Sequence, residues 1–287
     1  MNKIYYGDCR QSLKGLLSSS VQTVVTSPPY FGLRDYGNDE QIGLEDTVND
    51  YIDNLAHVFH LVKDVLNDDG TLWLNIADSY ASFKDGKAVP DSHRRGNGTA
   101  VSKGLAKNRM AKTFTGTDIK NKDLIGIPWM LALRLRADGW YLRQSIIWEK
   151  PNPRPESVTD RCTNSHEYIF LFSKSERYKF NHDDIKEFTV DGLSRRNRRS
   201  VWTVPTKPYS GAHFATFPEE LITPCVLAGS DVGDIVLDPF LGSGTTAATA
   251  LKLGRKYIGM ELNSDYEPLI QQRLNEAAMS GAQNELF

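Results

Sequence analysis

Towards its C-terminal end the chain carries an apolar run, Asp234-Ile235-Val236-Leu237-Asp238, that breaks into Pro239-Phe240-Leu241-Gly242-Ser243-Gly244-Thr245. No other segment restricts the possible folds as much. A short apolar run bounded by turn residues reads as a buried strand. The glycine-rich turn leads into helix-forming sequence from Ala247 to Leu253, and Arg255 to Glu261 reads as the next strand. Strand, turn, helix and strand make a βαβ unit, which requires a parallel sheet covered by helices. The turn then lies at the C-terminal edge of the sheet, where glycines let a ligand approach backbone N–H groups closely.

The rest of the chain continues the alternation. Ile4-Tyr5-Tyr6 reads as a short strand ending at Gly7-Asp8, and Gln11 to Leu17 as a short helix. Val21 to Thr26 is rich in β-branched residues and stops at Ser27-Pro28-Pro29-Tyr30, because consecutive prolines cannot continue a paired strand. Tyr51, Leu55, Val58, Phe59, Val62 and Leu66 fall at helical spacing, and Asp68-Asp69-Gly70 ends that helix before a strand over Thr71 to Ala77. Pro128 to Ala137 predicts a helix, Tyr141 to Trp148 and His166 to Phe172 predict strands, and Ser200 to Val204 resumes β-type sequence. A helix over Pro218 to Leu227 and a last one over residues 264–279 complete the pattern. The predicted class is α/β, Rossmann-like, with a mostly parallel sheet.

Composition narrows the function classes. The 287 residues suit one large domain or a domain with an insertion, since single cores stop growing near ~250–300 residues. With 40% hydrophobic and 24% charged residues, wholesale disorder and a fibrous repeat are excluded. Cys9, Cys162 and Cys225 are too few and too scattered for a disulfide framework or a four-cysteine zinc site. His166 and His182 lack partners at metal spacing, so no metal is expected. No apolar run approaches the ~20 residues of a membrane span, and the first residues lack an export signal, so no membrane partner and a cytoplasmic location are expected. The net charge of −2 is unevenly spread. Residues 81–122 hold ten Lys and Arg against three Asp and Glu, and residues 150–210 hold twelve against eight. Two basic blocks on an acidic body suit a polyanion, or solvated loops. Residues 80–122 also lack periodicity and are expected to form a long mobile loop.

The glycine-rich turn admits three ligands. A P-loop needs Lys after the second Gly, where this chain has Thr245. Gly242-x-Gly244-x-x-Ala247 fits a dinucleotide pattern, but too little sequence follows for a second mononucleotide half. S-adenosylmethionine carries no pyrophosphate. Its ribose hydroxyls suit Glu261 at the end of the neighbouring strand, and its α-amino group suits a carboxylate such as Asp238.

Thr26-Ser27-Pro28-Pro29-Tyr30 is the second constellation. The stiff Pro-Pro segment holds the Ser27 side chain and the Pro28 carbonyl as two acceptors and the Tyr30 ring as a platform. That set suits a planar base bearing an exocyclic amino group, although alone it is also an ordinary turn. Together the two constellations resemble the amino-methyltransferases of DNA, in the permuted group whose catalytic motif precedes the cofactor motif. Thr26 to Tyr30 is similar to their catalytic motif, Asp238-Pro239-Phe240-x-Gly242-Ser243-Gly244-Thr245 to their cofactor motif, and Gly259-Met260-Glu261 to their ribose-binding acid. Tyr6-Gly7-Asp8-Cys9 resembles the segment whose Asp contacts the adenine, and His213-Phe214-Ala215-Thr216-Phe217-Pro218 the segment that packs on the methionine end. Ile147-Trp148-Glu149-Lys150-Pro151-Asn152 is also similar.

The resemblance implies an S-adenosylmethionine-dependent methyltransferase with a circularly permuted motif order and an inserted DNA-recognition region. Residues 1–79 are the expected catalytic half, 80–122 the mobile basic loop, 123–152 its continuation, 153–210 the target recognition region and 211–287 the cofactor-binding half. Double-stranded DNA is the implied partner, with a cognate restriction endonuclease, in a prokaryotic or phage-encoded monomer or homodimer. Arg195, Arg196, Arg198 and Arg199 are the densest basic cluster and are expected to meet phosphates or guanine edges. Arg94, Arg95, Lys103, Lys107, Arg109 and Lys112 are expected to meet DNA from the long loop. Ser before Pro-Pro-Tyr is typical of enzymes acting on cytosine N4, and Asp there of adenine N6 enzymes, so cytosine N4 is expected with adenine N6 as the alternative. A catalytically inactive DNA-binding module is the alternative of a different class. Direct transfer to nitrogen needs no cysteine nucleophile, and Pro224-Cys225 reads as buried packing.

Overall fold

The computed structural model describes residues 2–33, 41–81, 118–207 and 217–284. In chain order the elements are β1 (Lys3–Tyr6), α1 (Cys9–Lys14), β2 (Val21–Thr26), α2 (Val48–Val65), β3 (Leu66–Ile76), α3 (Ile127–Ala137), β4 (Tyr141–Glu149), β5 (His166–Ser173), β6 (Glu187–Phe188), β7 (Arg195–Arg196), β8 (Val201–Thr203), α4 (Glu219–Gly229), β9 (Ile235–Asp238), α5 (Thr245–Lys252), β10 (Lys256–Glu261) and α6 (Glu267–Asn284). Arg94, Arg95, Lys103, Lys107, Arg109, Lys112 and Phe214 lie outside the described residues.

Eight strands form one sheet in the order β1-β10-β9-β2-β3-β5-β4-β8. All run in one direction except β5, which is antiparallel to both β3 and β4. The result is a Rossmann-like, mostly parallel methyltransferase fold. A sheet covered on both faces needs strands that are apolar on both sides, and β2 is buried at every position. Its side chains alternate between two cores, as the strand period of two requires. Val24 packs with Leu55, Phe59 and Leu131 of α2 and α3 on one face, and Val25 packs with Trp73, Leu221 and Trp202 on the other. A smaller cluster of Leu241, Ala247, Ile270 and Leu274 seats α5 and α6.

Element ends follow local chemistry. Helix α1 starts at Cys9, earlier than the apolar spacing predicts, because the Asp8 carboxylate accepts the Arg10 N–H at 2.8 Å and caps it. Thr47 caps α2 by accepting from Asp50 N at 3.1 Å. The Asp68-Asp69-Gly70 turn does not separate helix from strand. Leu66 already pairs with Val21, and pairing resumes at Thr71 with Thr23, so the turn is an irregularity within β3.

Strands β5 and β8 come from the stretch 153–210 and are woven into the main sheet, while β6 and β7 of that stretch form a separate two-stranded hairpin. Among the described residues no helix is long and apolar enough to cross a membrane. The feature that positions the site is the boundary between β9 and β2. From β9 the sheet continues to β10 and β1 on one side, and from β2 to β3 on the other. Strand order reverses there, and a crevice opens at the carboxyl ends of the two strands.

Candidate active site

The two sequence constellations meet at that crevice. Thr26 Oγ1 donates to Asp238 Oδ1 at 2.6 Å across the β2–β9 boundary. Thr246 Oγ1 donates to Oδ2 at 2.7 Å, and Phe240 N to Oδ1 at 3.0 Å. Burial pushes the Asp238 carboxyl up to about 6, although these three donors pull the other way. Asp238 therefore ties the cofactor turn to the residue preceding Ser27.

A single cleft is lined by Ser27, Pro28, Pro29 and Tyr30 on one side and by Gly242, Ser243, Thr245 and Glu261 on the other. Asp238 and Phe240 lie between them, and Asp8, Cys9 and Phe217 complete the lining among the expected residues. The Asp8 carboxylate also caps α1 and pairs with Arg10 Nε at 2.8 Å. Pro218 and Gly244 are not among the lining residues. Pro218 is the buried N-cap of α4. Gly244 has φ +88°, a left-handed conformation that starts α5, and a Cβ there would lie 3.2 Å from Ile270 Cγ2.

Glu261 accepts from Gly242 N at 2.8 Å through Oε2 and from Asn263 N at 2.9 Å through Oε1. Burial pushes its carboxyl up to about 7. Each oxygen keeps a further lone pair for a hydroxyl donor. The buried Ser243 Oγ finds no hydrogen-bond partner among the described residues, and a buried hydroxyl of that kind calls for a ligand group. An acid with spare acceptors, an unpartnered hydroxyl and a glycine turn fit the ribose and polar tail of S-adenosylmethionine.

The catalytic loop is braced from behind. The buried Tyr51 hydroxyl donates to the Pro29 carbonyl at 2.8 Å. Tyr30 Oη lies 3.4 Å from Ser27 Oγ and donates to Glu167 Oε2 at 2.7 Å. Tyr51 was legible only as a helix-face residue, and Asn75 and Glu167 gave no site signal beyond standing near strand ends. Burial pushes the Cys9 thiol up to about 12 and raises that of Cys225 as well. Neither provides a thiolate nucleophile near neutral pH.

The arginine cluster is partly engaged within the protein. Arg196 and Arg199 pair with Glu187 at 2.9 and 3.1 Å. Arg198 is half-buried, with its guanidinium 4.7 Å from the Trp202 ring centre. Arg195 is exposed on β7 and donates to the Lys186 carbonyl at 3.0 Å.

The DNA methylase family of the N6 and N4 type matches residues 21–272. The chain belongs to this family. The type II methyltransferase M.SmaI of Serratia marcescens is 50% identical over 273 residues, covering 95% of this chain and 90% of the relative. M.XycI of Xanthomonas campestris pv. cyanopsidis, also a type II methyltransferase, is 50% identical over 271 residues, covering 94% and 87%. Among solved structures, a DNA modification methylase of Thermus thermophilus, TTHA0409, in complex with S-adenosyl-L-methionine superposes with a TM-score of 0.65 at 25% identity, covering 97% of this chain and 96% of that one. The PvuII DNA methyltransferase, described as cytosine-N4-specific, shares the fold with a TM-score of 0.68 at 18% identity, covering 98% and 92%. This DNA methylase is thus an S-adenosylmethionine-dependent enzyme of the N4-cytosine and N6-adenine superfamily, and double-stranded DNA is its substrate.

Proposed function

We propose that this methylase transfers a methyl group to the exocyclic N4 of a cytosine flipped out of duplex DNA, by direct in-line displacement. The observation that carries the reading is the shared cleft, with Ser27 and Tyr30 on one wall and Gly242 and Glu261 on the other. The serine before Pro-Pro-Tyr supports cytosine N4 over adenine N6. The order of the motifs, catalytic before cofactor, supports the permuted group.

Bound S-adenosylmethionine supplies an electrophilic sulfonium methyl. Glu261 accepts from its ribose hydroxyls, Ser243 and the Gly242 turn hold its polar end, and Asp8, Cys9, Phe214, Phe217, Pro218 and Phe240 enclose the remainder. Flipping the base costs a few kcal/mol, and stacking on Tyr30 offsets ~1–3 kcal/mol of that. Ser27 Oγ and the Pro28 carbonyl accept the two N–H groups of the target, which draws the nitrogen towards sp3 geometry and aims its lone pair. Positioning supplies up to ~7–11 kcal/mol in favourable cases, and the two acceptors stabilise the positive charge that grows on nitrogen.

Residues 153–210 are the proposed target recognition region, with Arg195 and its neighbours against DNA. The type II relatives support a modification enzyme working beside a cognate restriction endonuclease in a prokaryotic or phage-infected cytoplasm. Digesting methylated DNA to nucleosides and measuring their masses tests the base: N4-methylcytidine is expected, and N6-methyladenosine alone rejects it. Tritium transfer from labelled cofactor separates an enzyme from an inactive binding module.

A further inference from the structure

Behind the catalytic loop lies a buried polar cluster that none of these roles uses. Glu167, the second residue of β5, has a side chain only 11% exposed and is not among the residues lining the cleft. Its Oε2 accepts from the Tyr30 hydroxyl at 2.7 Å and from Asn75 Nδ2 at 3.1 Å, and its Oε1 pairs with the Lys150 ammonium. Asn75 Nδ2 also donates to the Tyr168 carbonyl at 3.1 Å, and Lys150 Nζ lies 4.3 Å from the Trp148 ring centre. On the cleft side, Ser27 Oγ lies 3.4 Å from Tyr30 Oη.

Counting donors and acceptors fixes the direction of this chain. A carboxylate only accepts and an ammonium only donates. Asn75 must present its NH2 to Glu167, because the Tyr168 carbonyl on the same nitrogen also needs a donor. The phenol therefore gives its one proton to Glu167 and can only accept from Ser27. Burial and the Glu167 charge hold the Tyr30 hydroxyl well above its ordinary pKa, so it keeps that proton. Ser27 in turn gives its one proton to Tyr30, and its remaining lone pair is left for the cleft.

We propose that Glu167 is a positioning residue. Its charge, set by Lys150 and Asn75, runs the Ser27–Tyr30–Glu167 chain in one direction and makes Ser27 an obligate acceptor. The site then takes bases carrying an exocyclic amino group and rejects bases with a keto oxygen at that place, which would meet a lone pair with no proton between. This inference rests on the methyl-transfer reading above.

Glu167→Gln keeps the shape but sets an amide NH2 against either Lys150 or the Tyr30–Asn75 pair. Single-turnover transfer of tritiated methyl to DNA from a methylation-free bacterial host is expected to slow about 10- to 100-fold. The Kd for S-adenosylmethionine is expected to stay unchanged, and Tyr30→Phe to show the same loss. Because both act through Ser27, adding Glu167→Gln to Tyr30→Phe is expected to cost no more than about twofold further. A full rate in folded Glu167→Gln, or losses that multiply in the double variant, overturns the inference. If Glu167→Gln does not fold, an unchanged rate in Tyr30→Phe overturns it. Absence of any methyl transfer by the unaltered protein overturns the underlying reading instead.

Discussion

At the scale of single residues, Ser27 and Glu261 carry opposite halves of the chemistry. Ser27→Ala removes one acceptor from the reacting amine and touches nothing on the cofactor side. Its kcat is expected to fall ~10²–10³-fold, with cofactor affinity by calorimetry unaltered; a parallel loss of cofactor binding would contradict the role. Glu261 is predicted to make cofactor binding pH-dependent. Its ionised form is the better acceptor for ribose hydroxyls, and burial holds its carboxyl near a pKa of about 7. Affinity is therefore expected to rise between pH 6 and pH 8, and Glu261→Gln to flatten the profile. An unchanged slope in that variant would assign the dependence elsewhere.

At the scale of elements, the turn between β9 and α5 depends on backbone freedom. Gly244 combines φ +88° with a close approach to Ile270. Gly244→Ala is expected to lower unfolding stability by more than ~1 kcal/mol, read by urea denaturation. Gly15→Ala, at φ −87°, is expected to change stability by less than ~0.5 kcal/mol. The β2–β9 junction depends on a side-chain tie. Thr26→Val removes the 2.6 Å donor to Asp238 and leaves a buried carboxylate with one partner fewer, at an expected cost of ~1–3 kcal/mol. Equal stability of Thr26→Val and the unaltered protein would show that the tie is not needed.

At the scale of the whole molecule, the cleft imposes an electrostatic cost on the fold. Asp238 is raised from 3.8 to about 6 and Glu261 from 4.5 to about 7, in each case chiefly by burial. A raised folded-state pKa gives stability that is fully present below the unfolded value and lost as pH rises through the folded one. The protein without cofactor is therefore expected to lose stability between about pH 4 and pH 7. Glu261→Gln, which cannot ionise, is expected to gain in Tm relative to the unaltered protein as pH rises from 5 to 8. A constant difference in Tm across that range would refute the assignment.

Much of this molecule could be read from neighbouring residues. The strand pattern of β2, the glycine turn after β9 and the acid closing β10 are local signals, because periodicity and turn chemistry act over a few positions. So is the stiff Ser27 to Tyr30 segment. The exact start of α1 and the irregular opening of β3 were less legible, since a cap and a paired Leu66 outweighed apolar spacing. What required the folded chain was every contact between distant segments. Thr26 and Asp238 lie 212 positions apart, and β1 joins β10 from the opposite end of the sequence. The insertion of β5 between β3 and β4 likewise brings Glu167 and Lys150 behind Tyr30. Which strands become neighbours is settled by packing of the whole sheet and by backbone pairing, which leave no periodic mark in the sequence.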